Sequence, residues 1–167
     1  MRKRHDEVLA KVRSRIEHLN LPPRLTMEGL KQVIVDIWGI PIKIEKTALP
    51  TTVGGCSFRA EDSYIILYNQ IRTGYSKNFV IAHELGHILR GDAKNLKLLT
   101  REEVLTALYQ ERVIEGILCN FVFTAVRNPV IEREVNLYAS LFLTRLVTED
   151  ELVFERDIRT WFDGKEL

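Results

Sequence analysis

The sequence predicts an α+β domain, with helices towards both ends of the chain and a small β-sheet between them. The first observation is a change in the spacing of apolar residues at Gly39, from a period of 3.6 to a period of two. The second is a pair of short β-prone runs, Cys56–Ala60 and Tyr64–Tyr68, on either side of a polar turn at 61–63. Helical periodicity then returns, so the strands are segregated from the helices rather than alternating with them.

Two helices are predicted before the sheet. Residues 4–18 place their apolar side chains on one side of a helix. The second helix has Thr26 as its N-cap and ends at Gly39. The strand that follows has isoleucine at alternate positions, 40, 42 and 44. Together with the hairpin formed by the next two runs, it predicts a three-stranded sheet, antiparallel or mixed.

Four further helices are predicted after the hairpin. The first is capped by Ser76 and ends at Gly91. Thr100 and Glu103 form a capping box before a long helix to about residue 125. The others run from about 130 to 145 and from 148 to 163.

Composition restricts the classes of protein to which this chain can belong. Its 167 residues, 46% of them hydrophobic, are enough for one domain with a core. The net charge of +1 gives no general attraction to nucleic acid, so no direct nucleic-acid binding is expected. No run resembles a signal peptide or a membrane span, so we expect a cytoplasmic protein that does not associate with a membrane. Cys56 and Cys119 lack the spacing of a zinc-binding pair.

The most informative motif is His83-Glu84-Leu85-Gly86-His87. Two histidines four residues apart on a helix share one face and can bind one zinc ion. Glu84 is placed to carry a proton beside the metal without being a ligand. Two alternatives are a helix with two incidental histidines and a purely structural metal site, although structural sites favour four Cys or His ligands. Gly86 weakens a helix, which indicates a close approach by another backbone, with the 130–145 helix as the candidate; the alternative is a glycine without effect.

A third metal ligand is expected on the 130–145 helix. Glu132 and Asn136 are four residues apart and share a face, so Glu132 can bind the metal while Asn136 holds the far ring nitrogen of a histidine. Glu134 is the competing ligand, but it lies about 200° around the helix from Glu132.

These motifs resemble the ImmA/IrrE family of gluzincin-type zinc metallopeptidases. The resemblance rests on Val80–His87, on the later Glu-Arg-Glu-Val-Asn-x-Tyr-Ala run at 132–139, and on Gly39–Ile42, and it spans roughly residues 25–145. It implies a single domain over residues 1–167, with its core at 25–145 and a three-stranded sheet over the active-site helix. It also implies that the zinc ligands are His83, His87 and Glu132, that Glu84 is the catalytic acid and base, and that Asn136 supports a ligand.

The family implies limited cleavage of a protein substrate, typically a helix-turn-helix transcriptional repressor. The alternative is a non-catalytic, metal-stabilised anti-repressor that binds a regulator without cutting it. The presence of Glu84 favours the enzyme. One Zn²⁺ per chain is expected, although Mn²⁺ or Fe²⁺ can also accept two histidines and a carboxylate.

Two features of the substrate site stay open at this stage. Peptide hydrolysis needs a group that stabilises the developing oxyanion, and Arg72 and Tyr75 are weak candidates for it. The run Tyr64–Tyr68 is a candidate sheet edge, to which an extended substrate could add as another strand.

Overall fold

The computed structural model describes residues 2–92, 97–112, 117–121, 129–148 and 151. Two helices, α1 (Arg2–His18) and α2 (Met27–Trp38), come first. Strands β1 (Ile42–Thr47), β2 (Val53–Arg59) and β3 (Tyr64–Asn69) follow, then α3 (Gly74–Arg90) and α4 (Arg101–Tyr109). The last two elements are β4 (Ile117–Phe121) and α5 (Pro129–Leu143). The predicted α+β class is confirmed.

The sheet is mixed, which is one of the two forms that the sequence predicted. Strand β3 pairs in parallel with β1 and antiparallel with β2, which confirms the predicted hairpin. In the described residues β4 adds a fourth strand beside β2, so the order is β1-β3-β2-β4. Strand β3 is therefore central, and the prediction that Tyr64–Tyr68 forms a sheet edge is wrong. The prediction of one helix from 101 to 125 is also wrong, because α4 ends at Tyr109.

The predicted helix ends are confirmed where glycine or a side-chain cap provides a specific bond. Thr26 Oγ1 accepts the N–H of Gly29 at 3.0 Å, and Gly39 ends α2 with a φ of 65°. Thr100 and Glu103 form the expected capping box on α4. Helix α3 begins earlier than predicted, with Thr73 rather than Ser76 at its N-cap.

The bonds of the second predicted capping box, between Thr148 and Glu151, are also present. The helix predicted to extend from it to residue 163 lies outside the described residues. Among those described, no helix combines the length and the apolar character needed to cross a membrane.

Two apolar clusters cover the two faces of the sheet. The larger one joins α1, α2, α3 and α5 to one face and includes Leu85 and Tyr138, both fully buried. The smaller one packs α4 against the other face, around Phe58 and Leu108. Burial of both faces explains why β2 and β3 are apolar almost throughout rather than alternating. Helix α3 lies between the sheet and α5, and its residues 81–88 are all buried.

Candidate metal centre

Helix α3 brings the two motif histidines together in its buried half. His83 and His87 are 2% and 1% exposed, and their ring centroids are 4.9 Å apart. This is the arrangement that a four-residue spacing produces on one helix face. Polar rings so deeply enclosed need partners, because an unpaired buried polar group costs free energy.

Gly86 allows α5 to approach α3 at the centre of the site. A Cβ atom at this position would lie 3.2 Å from both Tyr138 Cβ and Val135 Cγ1 on α5, tighter than most real contacts. The predicted close approach at Gly86 is therefore confirmed. It sets the first turn of α5, with Glu132, beside the two histidines.

Glu132 completes a group of three possible metal donors. Its Oε2 lies 3.5 Å from His83 Nε2, and its Oε1 lies 3.6 Å from His87 Nε2. One donor atom from each residue can be chosen so that all three lie within 4.8 Å of one another. Tetrahedral zinc with ligands at about 2.0–2.1 Å places neighbouring donors roughly 3.3 Å apart, so these separations fit such an ion.

The state of His83 Nε2 also fits a metal site. This nitrogen is buried and has no hydrogen-bond partner among the described residues. Its other ring nitrogen, Nδ1, lies 3.0 Å from Asn136 Oδ1, which can only accept a hydrogen bond. The proton therefore sits on Nδ1, and the lone pair of Nε2 is directed at Glu132. The two histidines and the carboxylate could hold zinc, and manganese or iron would accept the same donors.

His87 is held by a carboxylate instead of an amide. Its Nδ1 donates to Asp92 Oδ2 at 2.9 Å, just beyond the end of α3 at Gly91. Arg90 Nε in turn donates to both oxygens of Asp92, at 3.0 and 3.1 Å. This carboxylate keeps the proton of His87 on Nδ1 and leaves Nε2 facing Glu132.

Arg90 connects this support to the interior of the helical layer. Its Nη1 pairs with Glu134 Oε2, and the Glu134 side chain is only 5% exposed. Lys11 and Arg15 of α1 lie 3.4 and 3.6 Å from Glu134 Oε1. We call Asp92, Arg90 and Glu134, with the two α1 cations, the His87 support network. Glu134 thus belongs to this network and lies outside the three-donor cluster.

Charge around the site shifts two pKa values. Burial opposes charge on the His83 imidazole, but the adjacent carboxylate of Glu132 and the charge of Glu84 outweigh it, so the pKa of His83 is raised. Burial likewise opposes charge on Asp92, but its bonds to His87 and Arg90 and the Arg90 charge prevail, so the pKa of Asp92 is lowered. Asp92 is therefore an anion at neutral pH.

Glu84 is the other buried carboxylate of the motif. It is 1% exposed and accepts a hydrogen bond from Ser57 Oγ at 2.6 Å. Ser57 is fully buried and comes from β2, so sheet and helix meet at this bond. One carboxylate oxygen is fixed by the serine, which orients the side chain without adding charge.

A pocket of about 470 Å³ opens on one side of Glu84 and His83. It extends along the first half of α3 and under the start of β2. Both Arg72 and Tyr75, the predicted candidates for oxyanion stabilisation, line it. The remaining lining residues are Thr52, Gly54, Gly55, Ser76, Phe79 and Val80.

Comparison with known protein families matches residues 36–117 to the peptidase M78 family, described as the IrrE N-terminal-like domain. This segment is similar to an IrrE N-terminal-like domain. No curated protein and no solved structure gives a significant match to the chain. The matched segment contains strands β1, β2 and β3, Ser57, the whole of α3 and Asp92.

The IrrE N-terminal-like match ends before α5. Glu132 and Asn136 therefore join the site by tertiary contact, through the packing of α5 at Gly86. Both residues could be proposed from the sequence because their four-residue spacing was visible, and the structure places both beside His83. Sequence reasoning missed Ser57 and Asp92, since a strand serine and a carboxylate after a helix end carry no distinctive spacing.

Proposed function

We propose that the chain is a zinc-dependent metalloendopeptidase that makes limited cuts in a protein substrate, with His83, His87 and Glu132 as the metal ligands. The observation that carries the proposal is the position of Glu84. Its buried carboxylate lines the pocket next to His83 and is oriented by Ser57. A site that served only to hold a metal for structure would need neither a carboxylate outside the ligand set nor an open pocket beside it.

The bound metal would supply Lewis acidity, which polarises a carbonyl and lowers the pKa of a bound water to about 7. Glu84 would accept the proton of the attacking water and transfer it to the leaving amine. Ser57 occupies Oε2 of Glu84, so Oε1 is the oxygen left for the proton. Asn136 and Asp92 would keep the two imidazoles in the tautomer that presents Nε2.

We further propose that the substrate is a helix-turn-helix transcriptional repressor, as the family resemblance implies, and that the protein acts in the cytoplasm. The competing function is an anti-repressor that binds the same partner through the pocket and does not cut it. Both functions use a metal-stabilised site, but only the first needs the proton transfer by Glu84.

Substitution Glu84→Gln separates the two functions. The amide keeps the shape and the bond to Ser57 but cannot accept the proton, so cleavage should fall about 10²–10⁴-fold. Zinc content, measured by elemental analysis, should stay at one per chain because Glu84 is not a proposed ligand. The assay is cleavage of the repressor encoded beside this gene, followed by gel and mass spectrometry, with release of the repressor from DNA measured in parallel.

The matched control is Glu61→Gln, which makes the same change of charge on an exposed turn and should leave cleavage unchanged. If Glu84→Gln releases the repressor from DNA as well as the wild type does, hydrolysis is not the activity and the anti-repressor function stands.

A further inference from the structure

The pocket beside the motif has a second charged end, at Arg72. We propose that Arg72 binds a carboxylate of the substrate, either an acidic side chain or the C-terminal carboxylate of a peptide. The inference deepens the proposed function, on which it rests, by assigning a specificity determinant to the pocket. The pocket thus has a reacting end at His83 and Glu84 and a recognition end at Arg72.

The position of Arg72 is fixed by its backbone. It lies between β3 and α3, and its N–H donates to the carbonyl of Asn69 at 2.9 Å. The buried amide of Asn69 donates in turn to the carbonyls of Leu49, Pro50 and Val53. These bonds tie the segment that carries Arg72 to the segment that leads into β2. The recognition end is therefore built before any substrate arrives.

The guanidinium of Arg72 has N–H groups that are not fully used in hydrogen bonds. Nη1 makes a long hydrogen bond of 3.4 Å to Ser76 Oγ, while Nε is buried without a partner in the part of the chain that the structure describes. No carboxylate among those residues lies within ion-pair distance of Arg72. An unsatisfied buried donor is costly, and two guanidinium N–H groups match a carboxylate in a two-pronged bond. A substrate carboxylate would satisfy both the charge and the donors.

The opposite wall leaves the guanidinium accessible because it consists of glycine backbone. A Cβ atom at Gly54 would lie 3.8 Å from Arg72 Nη2, so the absence of a side chain there keeps space beside this nitrogen. At Gly55 a Cβ atom would lie 2.4 Å from Val80 Cγ1. Glycine at 55 is thus required for β2 to pack on α3, while glycine at 54 opens the recognition end.

The distance between the two ends argues for recognition and against a role at the reacting carbonyl. Ser76, the hydrogen-bond partner of Arg72, precedes His83 by seven residues, which is about 10 Å along a helix. An extended peptide rises about 3.3 Å per residue. The carboxylate therefore belongs within about three residues of the bond that is cut. At this separation from His83, the Arg72 guanidinium is too distant to serve as the oxyanion stabiliser.

Aromatic rings connect the two ends. Tyr75 is 72% exposed and stacks on Phe79, whose ring lies 6.3 Å from that of His83. These three side chains follow one another at four-residue intervals on α3. They provide an apolar surface along which the residues between the carboxylate and the scissile bond can lie.

The test uses two sets of synthetic peptides with both ends blocked, identical except for one Glu or one Gln moved through each position. A third set has a free C-terminal carboxylate. Cleavage by the zinc-loaded protein is read by mass spectrometry. Binding without turnover is read by fluorescence polarisation with the Glu84→Gln protein. We expect one position at which Glu is preferred over Gln, or the free terminus over the amide, by about tenfold or more.

Arg72→Gln should reduce that preference to within about twofold in both assays. Arg72→Lys should retain part of the preference, because lysine keeps the positive charge but cannot form the two-pronged bond of a guanidinium. The control is Lys77→Gln, which removes one positive charge from the same helix start outside the pocket lining. It should keep the full preference. Circular dichroism and zinc content verify that each variant is folded.

The outcomes separate this inference from the proposed function. Cleavage without preference for a carboxylate, or a preference that survives Arg72→Gln, overturns the inference and leaves the peptidase intact. Arg72-dependent binding of carboxylate peptides without any cleavage supports the inference and overturns the peptidase. The third peptide set shows whether the carboxylate comes from a side chain or from a chain terminus.

Discussion

His83 and His87 lie one turn apart on α3, and the groups behind their rings differ in charge and in origin. His83 is backed by the neutral amide of Asn136, an exposed residue of α5. His87 is backed by the carboxylate of Asp92, whose side chain is 15% exposed and forms an ion pair with Arg90. An amide fixes the ring tautomer, whereas a carboxylate also raises the basicity of the nitrogen that faces the metal.

The second difference is how far each support extends. The backbone carbonyl of Asn136 also accepts a hydrogen bond from Ser140 Oγ, but in the described residues no charged side chain contacts the side-chain amide of Asn136. Asp92 belongs to the His87 support network, which continues through Arg90 to Glu134 and ends at α1. The comparison indicates that one proposed ligand is oriented by a local bond, and the other by a charged network that also joins three helices.

The largest effect should come from removing the three proposed donors. His83→Ala, His87→Ala and Glu132→Ala should each abolish binding of one zinc per chain at micromolar concentration, because two ligands do not hold the ion. Zinc content and a competition titration with a chromogenic chelator measure the loss.

Glu134→Gln is the matched control for Glu132. It changes the buried carboxylate of α5 and should keep the zinc, while lowering the free energy of unfolding by about 1–3 kcal/mol because Arg90 loses its ion pair with Glu134. If Glu134→Gln loses the metal and Glu132→Ala retains it, the ligand on α5 is misassigned by about half a turn.

A smaller effect is expected from the groups behind the rings. Asn136→Ala and Asp92→Ala should each weaken zinc binding by roughly 10–100-fold, with Asp92→Ala towards the upper limit because a charge is lost. Asp92→Asn, which keeps an acceptor, should fall between the wild type and Asp92→Ala. If Asp92→Asn binds zinc as tightly as the wild type does, the charge of Asp92 adds nothing beyond orientation of the ring.

The smallest effect is expected at the α1 end of the network. The side chains of Lys11 and Arg15 are 53% and 49% exposed, so Lys11→Ala and Arg15→Ala should each cost at most about 1 kcal/mol in urea unfolding. Zinc affinity should not change. Arg13→Ala, on an exposed position of the same helix, is the control. A tenfold loss of zinc affinity in Lys11→Ala or Arg15→Ala would show that α1 acts on His87 through the network.

Much of the fold was predictable because its signals are local. The caps at Thr26 and Thr100 and the left-handed glycine at Gly39 act through bonds within three or four residues of the helix end. The hairpin was predictable because its two strands flank a short polar turn.

The prediction failed after Tyr109, where the sheet decides the structure. Residues 117–121 are apolar enough for either a helix or a strand, and pairing with β2 makes them a strand. Strand β3, which was predicted to be an edge, is instead central, because β1 pairs with one of its sides and β2, followed by β4, lies on its other side. Strand order depends on contacts between distant residues, which local periodicity does not contain.

The sequence by itself determined the two pairs of candidate site residues that repeat at helical spacing. His83 with His87, and Glu132 with Asn136, are each four residues apart, and a helix turns that spacing into a shared face whatever surrounds it. Only the tertiary structure decided which groups support them. Ser57 reaches Glu84 from β2, Asp92 reaches His87 after a chain reversal, and α5 reaches α3 across Gly86. The physical reason is that a hydrogen bond or a close packing contact depends on where two separate elements lie in space, and spacing along one element cannot encode that.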